Sequence, residues 1–235
     1  MTEEIFRGES YVASCEARVL SVDESGIRLD RTVFYPVGGG QPGDTGTLSV
    51  PDGLEIRIVD TRKGERPGEI IHVPEGPVPA SLAGRDVVAG IDWERRHRLM
   101  RMHTLLHVLC SVVPGGVTGG TVRDGSGRLD FDLPDTLLDK EAITGELNRI
   151  IRENHPVRVR WITDEELAAR PELVRTMSVK PPTGIGRVRL LEIEGVDLQP
   201  CGGTHVAATG EIGGVAVTRI EKKGRHNRRV NVALV

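Results

Sequence analysis

Two short segments of this chain carry paired metal-type side chains, His103-Thr-Leu-Leu-His107 and Cys201-Gly-Gly-Thr-His205. Set four apart, His103 and His107 fall on one face of a helix, roughly 6 Å from each other, so both imidazoles can reach one ion. Cys201 and His205 lie in a glycine-containing stretch able to curl around the same ion. A thiolate with imidazoles is a zinc donor set, and the segments read as two halves of one site: His103, His107, Cys201 and His205. The zinc-peptidase pattern needs a glutamate straight after the first histidine; Thr104 stands there, which argues against a peptidase. Cys110 would lie about 10 Å along the helix axis from His103, too far to share its ion, and reads as a core cysteine. Without the second segment, His103 and His107 would read equally as polar residues flanking the apolar stripe Leu99, Met102, Leu106, Leu109 and Val113.

The elements that must position these residues can be read along the chain. Short strands are expected over residues 11–22, 27–34, 54–61, 69–73 and 86–91, with Asp52-Gly53 and Glu75-Gly76-Pro77 as turns. That pattern predicts a small β-barrel in a first domain, residues 1–91. The character changes at Asp92, which is placed to cap a helix running to about Val113, and a second domain is expected over residues 92–235. A glycine-rich loop should follow, then a strand near residues 128–133. A helix is expected over residues 136–154, with Thr136 and Asp139 as a capping box and His155-Pro156 as its stop. A short helix opened by Thr163 and Glu166 and strands near residues 157–162, 187–193, 214–221 and 229–235 complete an α+β domain with a mostly antiparallel sheet.

Composition narrows the function classes. The chain has 235 residues, a formal net charge of -3 and three cysteines, Cys15, Cys110 and Cys201. That length allows two cores, and three scattered cysteines are too few for a disulfide framework. No run approaches the 18 apolar residues of a membrane span, and the first residues lack the regions of a signal peptide, so no membrane association and a cytoplasmic location are expected.

With both half-sites in place, the chain resembles the alanyl-tRNA editing proteins called AlaX, freestanding relatives of the editing domain of alanyl-tRNA synthetase. The resemblance rests on His103-Thr-Leu-Leu-His107, on Cys201-Gly-Gly-Thr-His-Val206 followed by Thr209-Gly-Glu-Ile-Gly213, and on Phe34-Tyr-Pro-Val-Gly-Gly-Gly-Gln-Pro-Gly-Asp44. It implies a zinc-dependent hydrolase that acts in trans, removing serine and sometimes glycine from tRNA specific for alanine. It also implies that the stretch containing Gly39, Gly40 and Gln41 shapes a tRNA-facing surface, and that the segment Gly115-Gly-Val-Thr-Gly-Gly-Thr121 lies against the aminoacyl group. A hydroxyl there, Thr118 in preference to Thr121, would recognise the serine side chain.

The chemistry is coherent from first principles. A synthetase pocket cannot strongly reject an amino acid that only adds a hydroxyl, so a second hydrolytic site is needed. No side chain is singled out as catalytic, and a zinc-bound water is the expected nucleophile. Four protein ligands would close a tetrahedral ion; either the coordination expands or one residue stands back, His205 being the candidate. Arg95, Arg96, Arg98 and Arg101, with Lys222, Lys223, Arg225, Arg228 and Arg229, are the candidate basic groups for tRNA, and no DNA partner is expected. The competing class is a non-catalytic RNA-binding module with a structural zinc.

Overall fold

The computed structural model describes residues 2–134, 137–175 and 186–235. The chain divides into two compact units, Met1–His97 and Arg98–Val235.

In the first unit a two-residue strand β1 (Glu3–Glu4) precedes β2 (Ser14–Asp23) and β3 (Gly26–Leu29), and pairs in parallel with β4 (Arg31–Thr32). The strands β5 (Gly46–Ser49), β6 (Glu55–Lys63), β7 (Ile70–Pro74) and β8 (Asp86–Ile91) complete a closed barrel in the order β2-β3-β7-β6-β5-β8. Period-two alternation drives closure: Ile56 and Ile58 face inward while Glu55, Arg57 and Val59 face out. Val19, Leu29, Leu48, Val87 and Ala89 join them in the core. The expected strand over 27–34 breaks after Leu29, and β5 was not expected because Gly46-Thr-Leu-Ser reads as turn chemistry until it is paired on both sides.

The glycine-rich stretch of this unit is a tight hairpin turn. Gly38 and Gln41 exchange two backbone hydrogen bonds of 3.0 Å, with Gly39 and Gly40 at φ of 57° and 82°, values that favour glycine. The turn is tethered by the Tyr35 hydroxyl, which donates to the Gly38 carbonyl at 2.8 Å.

Helix α1 (Trp93–Val112) follows. From Leu99 to Cys110 every residue except Arg101 is buried, so α1 is a core helix rather than one with a single apolar stripe.

The second unit holds a four-stranded antiparallel sheet, β14-β15-β10-β9, built from β9 (Gly116–Arg123), β10 (Ser126–Asp132), β14 (Val215–Lys222) and β15 (Asn227–Leu234). The expected glycine-rich loop after α1 is the strand β9: Gly119 and Gly120 lie opposite Asp130 and Leu129, and a Cβ on Gly120 would meet the Leu129 Cδ2 at 2.9 Å. Pairing with β10 outweighs weak strand propensity there. Helix α2 (Lys140–Glu153) shields the edge strand β14, with Asn148 donating to the Val215 carbonyl at 2.8 Å and Thr144 accepting from the Val217 amide at 3.0 Å. Its cap is Asp139, whose carboxylate accepts from the Ala142 amide at 2.9 Å; Thr136 lies outside the described residues. Strand β11 (Val157–Ile162), helix α3 (Asp164–Ala168), and strands β12 (Val188–Ile193) and β13 (Asp197–Pro200) follow, with β11-β12-β13 forming a second antiparallel sheet. The capping box expected of Thr163 and Glu166 is present at the start of α3. No helix among the described residues is long and apolar enough to cross a membrane.

Candidate metal centre

Helix α1 carries His103 and His107 one turn apart, 7% and 8% exposed. Cys201 and His205 follow β13, which is held in register by β12. The loop after β13 is clamped by Arg189, a buried β12 residue whose Nη1 donates to the Cys201 carbonyl at 2.6 Å and to the Gly203 carbonyl at 3.0 Å. The Cys201 amide returns a bond to the Arg189 carbonyl at 3.1 Å, and the Gly203 amide points at the Cys201 Sγ at 3.5 Å.

These supports bring one donor atom from each of His103, His107, Cys201 and His205 within 4.8 Å of one another, so the cluster could hold a metal ion. The Cys201 Sγ lies 3.7 Å from the His103 Nε2 and 3.2 Å from the His205 Nε2. Donors around a tetrahedral ion with N and S bonds of ordinary length are separated by about 3.3–3.6 Å, so the cluster needs little movement to close on one. His205, the candidate to stand back, lies closer to Cys201 than His103 does.

The electrostatics favour a cation. Burial alone would push the Cys201 thiol up, but His103, His205 and His107 outweigh it and hold the thiol well below its usual range. Burial pushes His107 down, yet the Cys201 sulfur and the Asp197 carboxylate raise it to about 10. Burial drives His205 well below its ordinary value. A thiol held low among imidazoles is a charge arrangement suited to a divalent cation. Cys110 is different: burial pushes its thiol up to about 12, in line with a core cysteine.

Two functional neighbours escaped the sequence reading. Asp197 on β13 places Oδ2 2.9 Å from the His107 Nδ1, leaving the His107 Nε2 for the cluster. Gln199, two residues on and hence on the same strand face, donates its Nε2 to both Asp197 oxygens at 2.8 Å. An Asp-x-Gln pair in a short strand carries no signal by itself.

The other candidates are distributed over the two units. Gly39 and Gly40 are exposed at the turn of the first unit, whereas Gln41 is buried. Thr118 sits at a β-bulge of β9; its hydroxyl donates to the Asp130 carbonyl at 3.2 Å and accepts from the Asn227 Nδ2 at 3.0 Å. Thr121 lines a cleft with Arg123, Ser126, Arg128, Thr218 and Asn231. The arginines at the start of α1 are not a free basic face. Arg96 is fully buried against Asp44, Arg95 donates to the Gly43 carbonyl at 2.8 Å, Arg98 pairs with Asp124 at 2.5 Å, and Arg101 donates to the Ile212 carbonyl at 2.9 Å. In the last hairpin Arg229 pairs with Asp130 and Lys223 with Glu221, while Arg228 is buried.

Comparison with known proteins finds relatives along the whole chain. Residues 188–231, which contain the Cys201 half-site, match the threonyl and alanyl tRNA synthetase second additional domain, and residues 5–95 match the class II (A) tRNA synthetases. The chain is 38% identical to an alanyl-tRNA editing protein AlaX-M of Methanosarcina acetivorans over 100% of both chains. It is 34% identical to the AlaX-M of Saccharolobus solfataricus over 98% of each. An alanine–tRNA ligase of Pyrobaculum neutrophilum is 35% identical over 94% of this chain but only 25% of its own length.

Proposed function

The chain belongs to the AlaX-M alanyl-tRNA editing protein family, and from that premise we propose that it hydrolyses the ester of alanine tRNA mischarged with serine, and of the glycine-charged form, acting in trans in the cytoplasm. The observation that carries the reading is the convergence of His103, His107, Cys201 and His205 within 4.8 Å. A thiolate with three imidazoles is a donor set suited to Zn2+. Bound zinc supplies a Lewis acid and an activated water for attack on an ester carbonyl.

The chain's own residues do the sorting and positioning. The proton of the Thr118 hydroxyl goes to the Asp130 carbonyl and one lone pair to Asn227, leaving one lone pair to accept from a serine side-chain hydroxyl. Alanine offers no such donor, so a correctly charged tRNA gains nothing from this contact. Thr121 contributes a second hydroxyl on the same strand. In the first domain, taken as residues 1–91, Gly39 and Gly40 let backbone approach the tRNA and Gln41 supports the turn from within; residues 92–235 form the deacylase domain. Lys222 and Arg225, exposed in the last hairpin, are the candidate phosphate contacts.

Four protein donors are also the pattern of a structural ion, which favours as second reading an RNA-binding module without catalysis. One experiment separates them: release of serine from serine-charged alanine tRNA by the purified protein, beside correctly charged tRNA. Selective release of serine supports the hydrolase. Protection of the ester with tight tRNA binding supports the module.

A further inference from the structure

We infer that Thr104 is a positioning residue for the metal centre, fixing the tautomer of His205 so that Nε2 carries the lone pair that faces the cluster. The inference rests on the metal reading above. It gives a role to the residue that stands where a zinc peptidase has its glutamate.

The Thr104 side chain is fully buried, and its hydroxyl oxygen has three neighbours: the Met100 carbonyl at 2.9 Å, the Val206 amide nitrogen at 3.3 Å and the His205 Nδ1 at 3.2 Å. A carbonyl can only accept, so the single hydroxyl proton goes to Met100, the back-bond to residue i−4 typical of helical threonine. An amide can only donate, so Val206 takes one lone pair. The remaining lone pair can only accept, and the His205 Nδ1 must therefore bear a hydrogen. An imidazole that gives a lone pair to a cation carries a single N–H, so a metal-bound His205 with its hydrogen on Nδ1 would coordinate through Nε2, the nitrogen 3.2 Å from the Cys201 Sγ.

The His107 Nδ1 faces Asp197, a carboxylate, whereas the His205 Nδ1 is served by a neutral hydroxyl. Thr104 also ties two distant parts of the chain together, since one oxygen holds the loop residues His205 and Val206 against α1. His205 is thereby presented as a full ligand, not as the residue that stands back.

The test compares Thr104→Val, which removes the hydroxyl, with Thr104→Ser, which restores it. Zinc affinity is measured by competition with a chromogenic chelator, and the His205 ring nitrogens are followed by NMR in the zinc-loaded proteins. Thr104→Val is expected to bind zinc about 10- to 100-fold more weakly, the usual effect of losing an outer partner of a metal-bound histidine, with Thr104→Ser close to wild type. Wild type and Thr104→Ser should show a His205 Nδ1–H resonance protected from solvent exchange, and Thr104→Val should lose that protection. Equal zinc affinity in wild type and Thr104→Val would overturn the positioning role and leave the metal reading intact. A wild-type protein that takes up no zinc would overturn the metal reading itself. Should Thr104→Val fail to fold, a wild-type His205 protonated on Nε2 would suffice to refute the inference.

Discussion

Arg96 and Asp44, 52 residues apart, form an ion pair from which both side chains are excluded from solvent. The Arg96 Nε reaches the two carboxylate oxygens at 3.0 and 2.9 Å, and the same guanidinium donates to the Val33 carbonyl at 2.6 Å and the Ser10 carbonyl at 3.1 Å. The Tyr35 amide completes the carboxylate at 2.6 Å. Asp44 thus closes the glycine-rich motif by fastening it to the first turn of α1.

Removing one member of this pair leaves the other charged and buried. Asp44→Leu or Arg96→Met alone should lower unfolding stability by about 3–5 kcal/mol, whereas the two together should cost less than either single change. Urea unfolding of the three variants measures this, and additive losses would show that the pair is not coupled.

Cys201→Ser replaces a soft anionic donor with a poor neutral one. Zinc content and seryl-tRNA deacylation should fall together while circular dichroism stays native, because the helix and strand cores do not involve Cys201. Full zinc occupancy in an inactive Cys201→Ser protein would instead point to Cys201 as a nucleophile.

Thr118→Val keeps the shape of the side chain and removes the hydroxyl. If Thr118 recognises serine as proposed, loss of that neutral hydrogen bond costs on the order of 1 kcal/mol, so serine release should slow several-fold relative to glycine release. An unchanged ratio of the two rates would move the recognition role to Thr121.

His72 makes the barrel sensitive to acid. It is fully buried, with Nε2 2.8 Å from the Thr32 hydroxyl and Nδ1 3.1 Å from the Ile27 carbonyl, and burial lowers its pKa from 6.5 to about 4. The unfolded chain therefore binds the proton first. Stability is full above pH 6.5 and falls as pH drops toward 4, by up to about 3 kcal/mol for a shift of this size. Denaturant unfolding at pH 7, 5.5 and 4 should show this slope in wild type and a flatter one in His72→Gln. Parallel slopes would remove His72 as the cause.

The parts of the molecule legible in the sequence are those where chemistry and spacing act locally. The helical spacing of His103 and His107, the Thr163–Glu166 capping box and the alternating strand β8 needed no distant partner to be recognised. Asp197 was invisible because its role exists only once β13 lies beside α1. The strand β9 was hidden by its glycines, whose fit is set by Leu129 and Asp130 across the ladder. Arg96 looked like one of several exposed cations because nothing in a run of arginines reveals which has a carboxylate waiting 52 positions earlier.

The span of 98 positions from His103 to Cys201 has a consequence for how the second unit survives in a cell. A cation held by both would act as a reversible staple across that span, and a covalent cross-link closing a loop of such length is worth on the order of 4–5 kcal/mol. The barrel contributes no donor to the staple. Metal starvation should therefore produce a chain whose halves age differently: an intact first unit, and a second that opens more often and is the first to be cut by proteases.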